Sequence, residues 1–390
     1  MIIAKIVGDK MNSHKDIIFT PEEYHQRVDI VRSHMREKNI ELLIIDQSDF
    51  LYYLTGFGIS ENMYRACLLT LQDDPVMVFR AMDEYTFREN SWVNDTVTFS
   101  DWQDPVEVLI DTITERGWDR LNIGADFDSY CMTVKRFNRL QQRFSEHPLR
   151  DFSGVLDELR ECKTEKEIRL IAEAAKVNDL AFSSVLSATG EGKTERDAAT
   201  IVHQVFMQNG LDSNRCGIIT LGVGNSFLHG NLHQRPLVSG DILHTELVSF
   251  KRGYSARLMR PIVIGKASSQ QKALAEQLIA IQDKQFAAMK PGAVAKDIDS
   301  LVRDAVIAAG LRKDYASITG YTLGYYPRIS PRTSDFSRVF VPNAEWRLKP
   351  GMVFHMYIYA EGLAFSETIA ITEQGHERLT QTPRRLFIAD

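Results

Sequence analysis

Apolar positions along the first part of the chain follow two rhythms. FTPEEYHQRVDIVRSHMREKNI (19–40) repeats at helical spacing. Thr20 stands as N-cap, Pro21 occupies the first helical position, and two glutamates follow in the first turn. ELLIIDQ (41–47) is a short continuous apolar run after that helix, which predicts a buried strand. The runs ACLLTL, PVMVF and LNIGAD then alternate with helical stretches, the pattern of an α/β domain that ends near residue 155. RECKTEKEIRLIAEAAKVNDLAFSSVL (160–186) predicts a long helix at the boundary. We therefore expect one domain over 1–158 and a second over 159–390. Residues 1–16 read as a loose arm, within which Met11 is an alternative start.

The second part carries a faint internal duplication. GKTERDAATIVHQVFMQNGL (192–211) aligns without a gap on GAVAKDIDSLVRDAVIAAGL (292–311). Each copy follows a helix and precedes strand-like segments, which predicts a pseudo-symmetric α/β (α+β) domain with its site between the halves. Two unrelated amphipathic helices ending in Gly-Leu would look similar, but the matched spacing favours duplication.

Composition narrows the function. The chain has 390 residues, 44% of them apolar, and a net charge of −6. That balance argues against nucleic acid or an anionic membrane as the main partner. No apolar run approaches the ~20 residues that span a bilayer, and the N-terminus lacks a signal-peptide core. Cys67, Cys131, Cys162 and Cys216 are widely spaced with no CxxC pair, so we expect reduced thiols in a cytoplasmic protein.

Four segments and a hairpin carry a family resemblance: GVGNSFLHGNLHQRPLVSGD (222–241), TGYTLGYYPR (319–328), LKPGMVF (348–354), SETIAITEQGHERLT (366–380), and GDILHTELVSFKRGYSARLMR (240–260). With these the chain resembles the creatinase/prolidase/aminopeptidase P group over nearly its whole length. The resemblance implies a creatinase-type N-terminal α/β domain and a pita-bread catalytic domain. In the metal-dependent members the hairpin supplies two aspartates eleven positions apart. The five ligand positions fall here on Glu246, Arg257, Tyr321, Tyr357 and Glu367. Arginine has no lone pair to offer and stays protonated, so the resemblance implies a metal-free branch with no cofactor. Within it the chain is most similar to the ectoine hydrolases, through Glu246-Leu247, Arg252-Gly253-Tyr254, Gly320-Tyr321, Phe354-His355-Met356, PRRLF (383–387) and AMDEYTFRENSWVND (81–95). It departs from them in the substrate loop GFGISENMYRA (56–66), which has no Trp.

The roles implied are these. His229, twelve residues before Asp241, is the proton-transferring histidine, with His233 as a nearby competitor. Glu246 is nucleophile or general base toward an sp² carbon; its structural alternative is a salt bridge to Arg257 or Arg260. Glu367 is a second carboxylate beside a cationic substrate, or else a strand-end acid facing water. Tyr321, Tyr357 and Arg257 line the substrate site, unless the tyrosines only pack. Arg65 and Arg332 are candidates for a substrate carboxylate; the run 328–338 reads equally as a solvated loop. The expected activity is metal-independent hydrolysis of a small amidine or guanidine C–N bond, of the ectoine-opening kind. Creatinase-like chemistry, another small-amide hydrolase or lyase, and a non-catalytic binding module are the alternatives. A homodimer with a shared active site is expected, Arg65 having no evident role in its own subunit.

Overall fold

The computed structural model describes residues 16–57, 62–212 and 215–390. The N-terminal arm and part of the loop 56–66 thus lie outside the described residues. The chain forms two compact units. One runs up to Arg160 and includes Ile329–Pro331; the other comprises Glu161–Arg328 and Arg332–Asp390.

The first unit is built on a six-stranded mixed sheet in the order β4-β3-β2-β1-β5-β6. Its strands are β1 (Leu42–Ile45), β2 (Ala66–Thr70), β3 (Val76–Arg80), β4 (Asp95–Phe99), β5 (Ile123–Ala125) and β6 (Arg150–Asp151). Every position of β1 is buried, which explains why its sequence runs apolar without alternation. Helix α1 (Pro21–Glu37) begins as its sequence indicates. Thr20 accepts from the Glu23 amide while the Glu23 carboxylate accepts from the Thr20 amide, so two otherwise orphaned amide donors are satisfied together.

The second unit is built on a larger sheet, antiparallel along the order β11-β10-β12-β13-β9-β8-β7, with β14 added antiparallel to β13 and β15 added parallel to β9. The strands are β7 (Gly217–Leu221), β8 (Ile242–Lys251), β9 (Tyr254–Ile264), β10 (Gly320–Thr322), β11 (Asp335–Phe340), β12 (Val353–Ala360), β13 (Leu363–Ile371), β14 (His376–Arg378) and β15 (Phe387–Ala389). Two helix pairs accompany it: α2 (Glu165–Ala188) with α3 (Glu195–Gln208), and α4 (Ser269–Ala288) with α5 (Ala295–Ala308). Leu243, Leu247, Leu258 and Ile262 pack against Phe182, Val185 and Val202, and Phe354, Met356 and Ile369 against Phe286 and Ile298. These strand residues alternate with polar ones, so one sheet face belongs to the helices and the other to the site.

The two halves repeat each other in backbone detail. The Gly192 amide bonds the Leu237 carbonyl and the Leu237 amide the Lys193 carbonyl; Gly292, Leu348 and Ala293 make the same pair of bonds. Gly210 and Gly310 end α3 and α5 with φ of 66° and 69°, a left-handed conformation that favours glycine. Matched bonds at matched positions are what a duplication leaves behind. The architecture is the expected one: a mixed α/β domain followed by a pseudo-symmetric, antiparallel half-barrel. Among the described residues, no helix is long and apolar enough to cross a membrane. All four cysteines are unpaired.

Candidate functional site

Strand register decides which side chains meet. Glu246 pairs with Met259, Met259 with Ser366, and Ser366 with Tyr357; His355, two residues before Tyr357, pairs with Tyr321. Directly paired residues share a face and residues two apart share it again. Glu246, Arg257, Ser366, Tyr357, His355 and Tyr321 therefore occupy one face, away from the helices. The hairpin between β8 and β9 is what brings Glu246 and Arg257 together despite their odd separation.

Arg257 is the organiser. Its Nη1 donates to Glu246 Oε1 at 2.7 Å, and its Nη2 donates to the Thr333 carbonyl at 2.7 Å and to Ser334 Oγ at 3.0 Å. The guanidinium lies 5.4 Å from the Tyr321 ring centroid. Burial works against its charge, but Tyr321 and Glu246 outweigh burial and hold it protonated. Both members of the pair are buried. Among the described residues no protein group donates to Glu246 Oε2, which leaves one carboxylate oxygen for a substrate or a water. Tyr321 shares a 2.8 Å hydrogen bond with His355 Nδ1. Burial pushes the Tyr321 hydroxyl up to about 12 and that of Tyr357 well above its usual value, so both stay protonated donors.

Glu367 is not part of this face. Its neighbour Ser366 is, and alternation turns Glu367 toward the helices. There Arg260, fully buried, donates to Glu367 Oε1 at 2.6 Å, and the Thr380 hydroxyl donates to Oε2. Arg384 and Arg378 stand 3.4 Å and 3.7 Å from Oε1. The expectation of a second carboxylate beside a cationic substrate is thereby corrected: Glu367 is enclosed by arginines on the opposite face. Arg65 is corrected in its premise. It is buried in its own domain, donates to Ser48 Oγ and lies beside Asp46, so it has a role inside its own chain. Arg332 immediately precedes Thr333 and Ser334, the groups that hold Arg257.

His229 is exposed on the loop between β7 and β8. That loop is tied to the site-bearing sheet. The Gly362 amide donates to the Gly224 carbonyl, Asn225 and Glu361 exchange two bonds, and Phe227 packs edge-on against His244 and Tyr359. His233 instead bonds Glu195.

Two histidines on the site face were given no role from sequence. His355 and His244 are fully buried, and neither nitrogen of His244 has a hydrogen-bond partner. Their signal was the two-residue offset from Tyr357 and Glu246, legible only once the face is known. Burial pushes His244 down to about 3, and burial with the Arg257 charge holds His355 well below its usual value. Both are neutral in the folded protein. In the unfolded chain each takes up a proton near pH 6.5. Below that pH the unfolded state binds more protons, so stability falls as pH falls, by up to about 1.4 kcal/mol per pH unit for each histidine. For His244 the window runs from about 6.5 down to about 3. Denaturant unfolding at pH 7, 6 and 5 compares the unmutated protein with His244→Gln, which should remove up to about 1.4 kcal/mol per pH unit of the acid loss between pH 6 and 5. An unchanged slope would take His244 out of the account.

The donor set is the test of a metal. Among the described residues no three His, Cys, Asp or Glu side chains form a metal-holding group. More decisively, the face offers one carboxylate already bonded to a guanidinium, two protonated phenols, a serine and two neutral, fully buried histidines. A divalent cation there would compete with Arg257 for Glu246, so the residues do not fit one.

Comparison with known proteins places the two domains. Residues 169–373 match metallopeptidase family M24, and residues 27–162 match the creatinase/prolidase N-terminal domain. The Xaa-Pro dipeptidase of Pyrococcus furiosus is 26% identical over 368 residues, 93% of this chain and 99% of the relative. The ectoine hydrolase of Halomonas elongata is 25% identical over 396 aligned positions, 95% of this chain and 98% of the relative. In structure, the prolidase of Thermococcus sibiricus superposes with a TM-score of 0.82 at 24% identity, covering 94% and 99% of the two chains. The last likeness speaks to the fold.

Proposed function

The chain belongs to metallopeptidase family M24 and is a hydrolase of that superfamily, and from the chemistry of its site face we propose that it cleaves a small non-peptide C–N bond without a metal ion. The observation that carries the reading is the buried Arg257–Glu246 pair at 2.7 Å. It puts a fixed cation where a metal-dependent relative needs a ligand, and it leaves Glu246 with one oxygen free. The substrate class we favour is an amidine carboxylate, as in the ectoine hydrolase among its relatives.

In this reading Glu246 Oε2 attacks the sp² carbon, or takes a proton from the water that does. Arg257 keeps the carboxylate ionised and oriented, since a charged donor favours the charged acceptor. Tyr321 and Tyr357 donate to the substrate. His229 carries the proton to the departing nitrogen, which requires its loop to turn the exposed ring inward. The charge balance differs from that of a site with two carboxylates: Arg257 offsets Glu246, so a net neutral or zwitterionic substrate suits the face better than a bare cation. The working form proposed is a cytoplasmic homodimer, and light scattering that finds a fully active monomer would remove the dimer from the account.

A second reading has one observation in its favour. Glu246 is nearly inaccessible, 3% exposed, and ion-paired, which also suits a non-catalytic binding module. A turnover screen separates the two. Ectoine, hydroxyectoine, creatine and an Xaa-Pro dipeptide would be followed for product by mass spectrometry. Hydrolysis of a cyclic amidine or guanidino compound with the dipeptide untouched is the expected outcome. Dipeptide cleavage would contradict the proposal, and binding without turnover would favour the module.

A further inference from the structure

Arg312 follows α5 and reaches the site through two tyrosines. Its guanidinium carbon lies 4.3 Å from the Tyr359 ring centroid and 4.6 Å from that of Tyr315. Its Nη1 is buried without a hydrogen-bond partner, and so is the Tyr315 hydroxyl. Burial raises the Tyr315 pKa, so that hydroxyl remains a donor. The Tyr359 hydroxyl is already bonded to Ser317 at 2.9 Å. Two neighbouring donors, one of them cationic, thus stand unsatisfied in a buried place. A buried donor without a partner is costly, and an acceptor that arrives with a ligand recovers that cost.

This corner adjoins the catalytic end. Tyr359 is two residues from Tyr357 on β12, and their rings are 6.2 Å apart at 33°. Tyr357 lies within electrostatic reach of both Tyr315 and Glu246, so it is a neighbour common to the two ends. Two other candidates are already engaged: Arg257 with Glu246, Thr333 and Ser334, and Arg65 with Ser48 in the other domain.

We propose that Arg312 and Tyr315 bind the carboxylate of the substrate, while Tyr357 and Glu246 face its C–N bond. The subsite rests on the hydrolase reading only for its catalytic end. An arginine fork donates two parallel bonds to a planar carboxylate, which a carboxamide cannot match. The site then selects compact molecules bearing a carboxylate a few bonds from the reacting carbon.

The test measures binding by calorimetry in Glu246→Gln protein, where no ligand is consumed. Ectoine, creatine and proline would each be compared with its own primary carboxamide. At least one carboxylate should bind about ten- to a hundred-fold more tightly than its carboxamide. Adding Arg312→Gln should abolish that preference. Tyr315→Phe, which removes only the hydroxyl, should weaken it about three- to ten-fold at a melting temperature no lower than the parent's; this variant decides the matter if Arg312→Gln fails to fold. No preference for any carboxylate, or a preference that survives both substitutions, would overturn the subsite. Carboxylate preference without turnover in the unmutated protein would keep the subsite and discard the hydrolase. Turnover without that preference would do the reverse.

Discussion

Glu246→Gln is expected to lower turnover by about 10²–10⁴-fold, the usual loss when a positioned acid–base group goes. The glutamine amide oxygen can still accept from Arg257 Nη1, and Arg257 keeps its bonds to Thr333 and Ser334. The fold should therefore survive, although losing the charge of a buried pair costs some stability. Circular dichroism at the assay temperature must show a folded protein before the rate is read. If Glu246 is the nucleophile, a slow substrate should leave a covalent adduct on the unmutated protein, visible as an intact-mass increase and absent from Glu246→Gln. If it is the general base, no adduct forms, yet the variant is still inactive. Near-normal turnover in the folded variant would remove Glu246 from the mechanism.

Glu367→Gln should instead damage stability. Glu367 and Arg260 are both fully buried, and Arg260 spends its remaining donors on the carbonyls of Met259, Ser366, Thr382 and Pro383. Taking away the carboxylate charge leaves Arg260 uncompensated, with Arg378 and Arg384 close by. Breaking a buried pair in this way costs about 3–5 kcal/mol. Denaturant unfolding would register it as a large fall in midpoint. Because the residue faces the helices, the folded fraction should retain turnover at low temperature. A variant that melts normally but is catalytically dead would return Glu367 to the reaction.

The contrast between these two acids shows what the sequence disclosed. The resemblance of 240–260 to the family's hairpin placed Glu246 and Arg257 together; their odd separation alone would have set them on opposite faces of one straight strand. The segment 366–380 also pointed to the right strand. It did not give the face, and a carboxylate at Glu367 drew attention away from Ser366 one position earlier. Only the register between β12 and β13, which pairs Ser366 with Tyr357, separates them. His244 and His355 were hidden for the same reason. Arg312 was hidden differently: its partners Tyr315 and Tyr359 meet through the fold of β12 against the α5–β10 connection. The domain folds were legible because apolar rhythm and the repeated Gly-Leu helix ends are written in the chain itself.

The claim at the centre of this account is that Glu246 works without a metal. It is tested most directly by turnover of the best amidine or guanidino substrate after exhaustive chelation, with metal content measured on the same sample. The account predicts a rate equal to that of untreated protein at well below one metal ion per chain. Loss of activity on chelation, restored by adding a divalent cation, would contradict it.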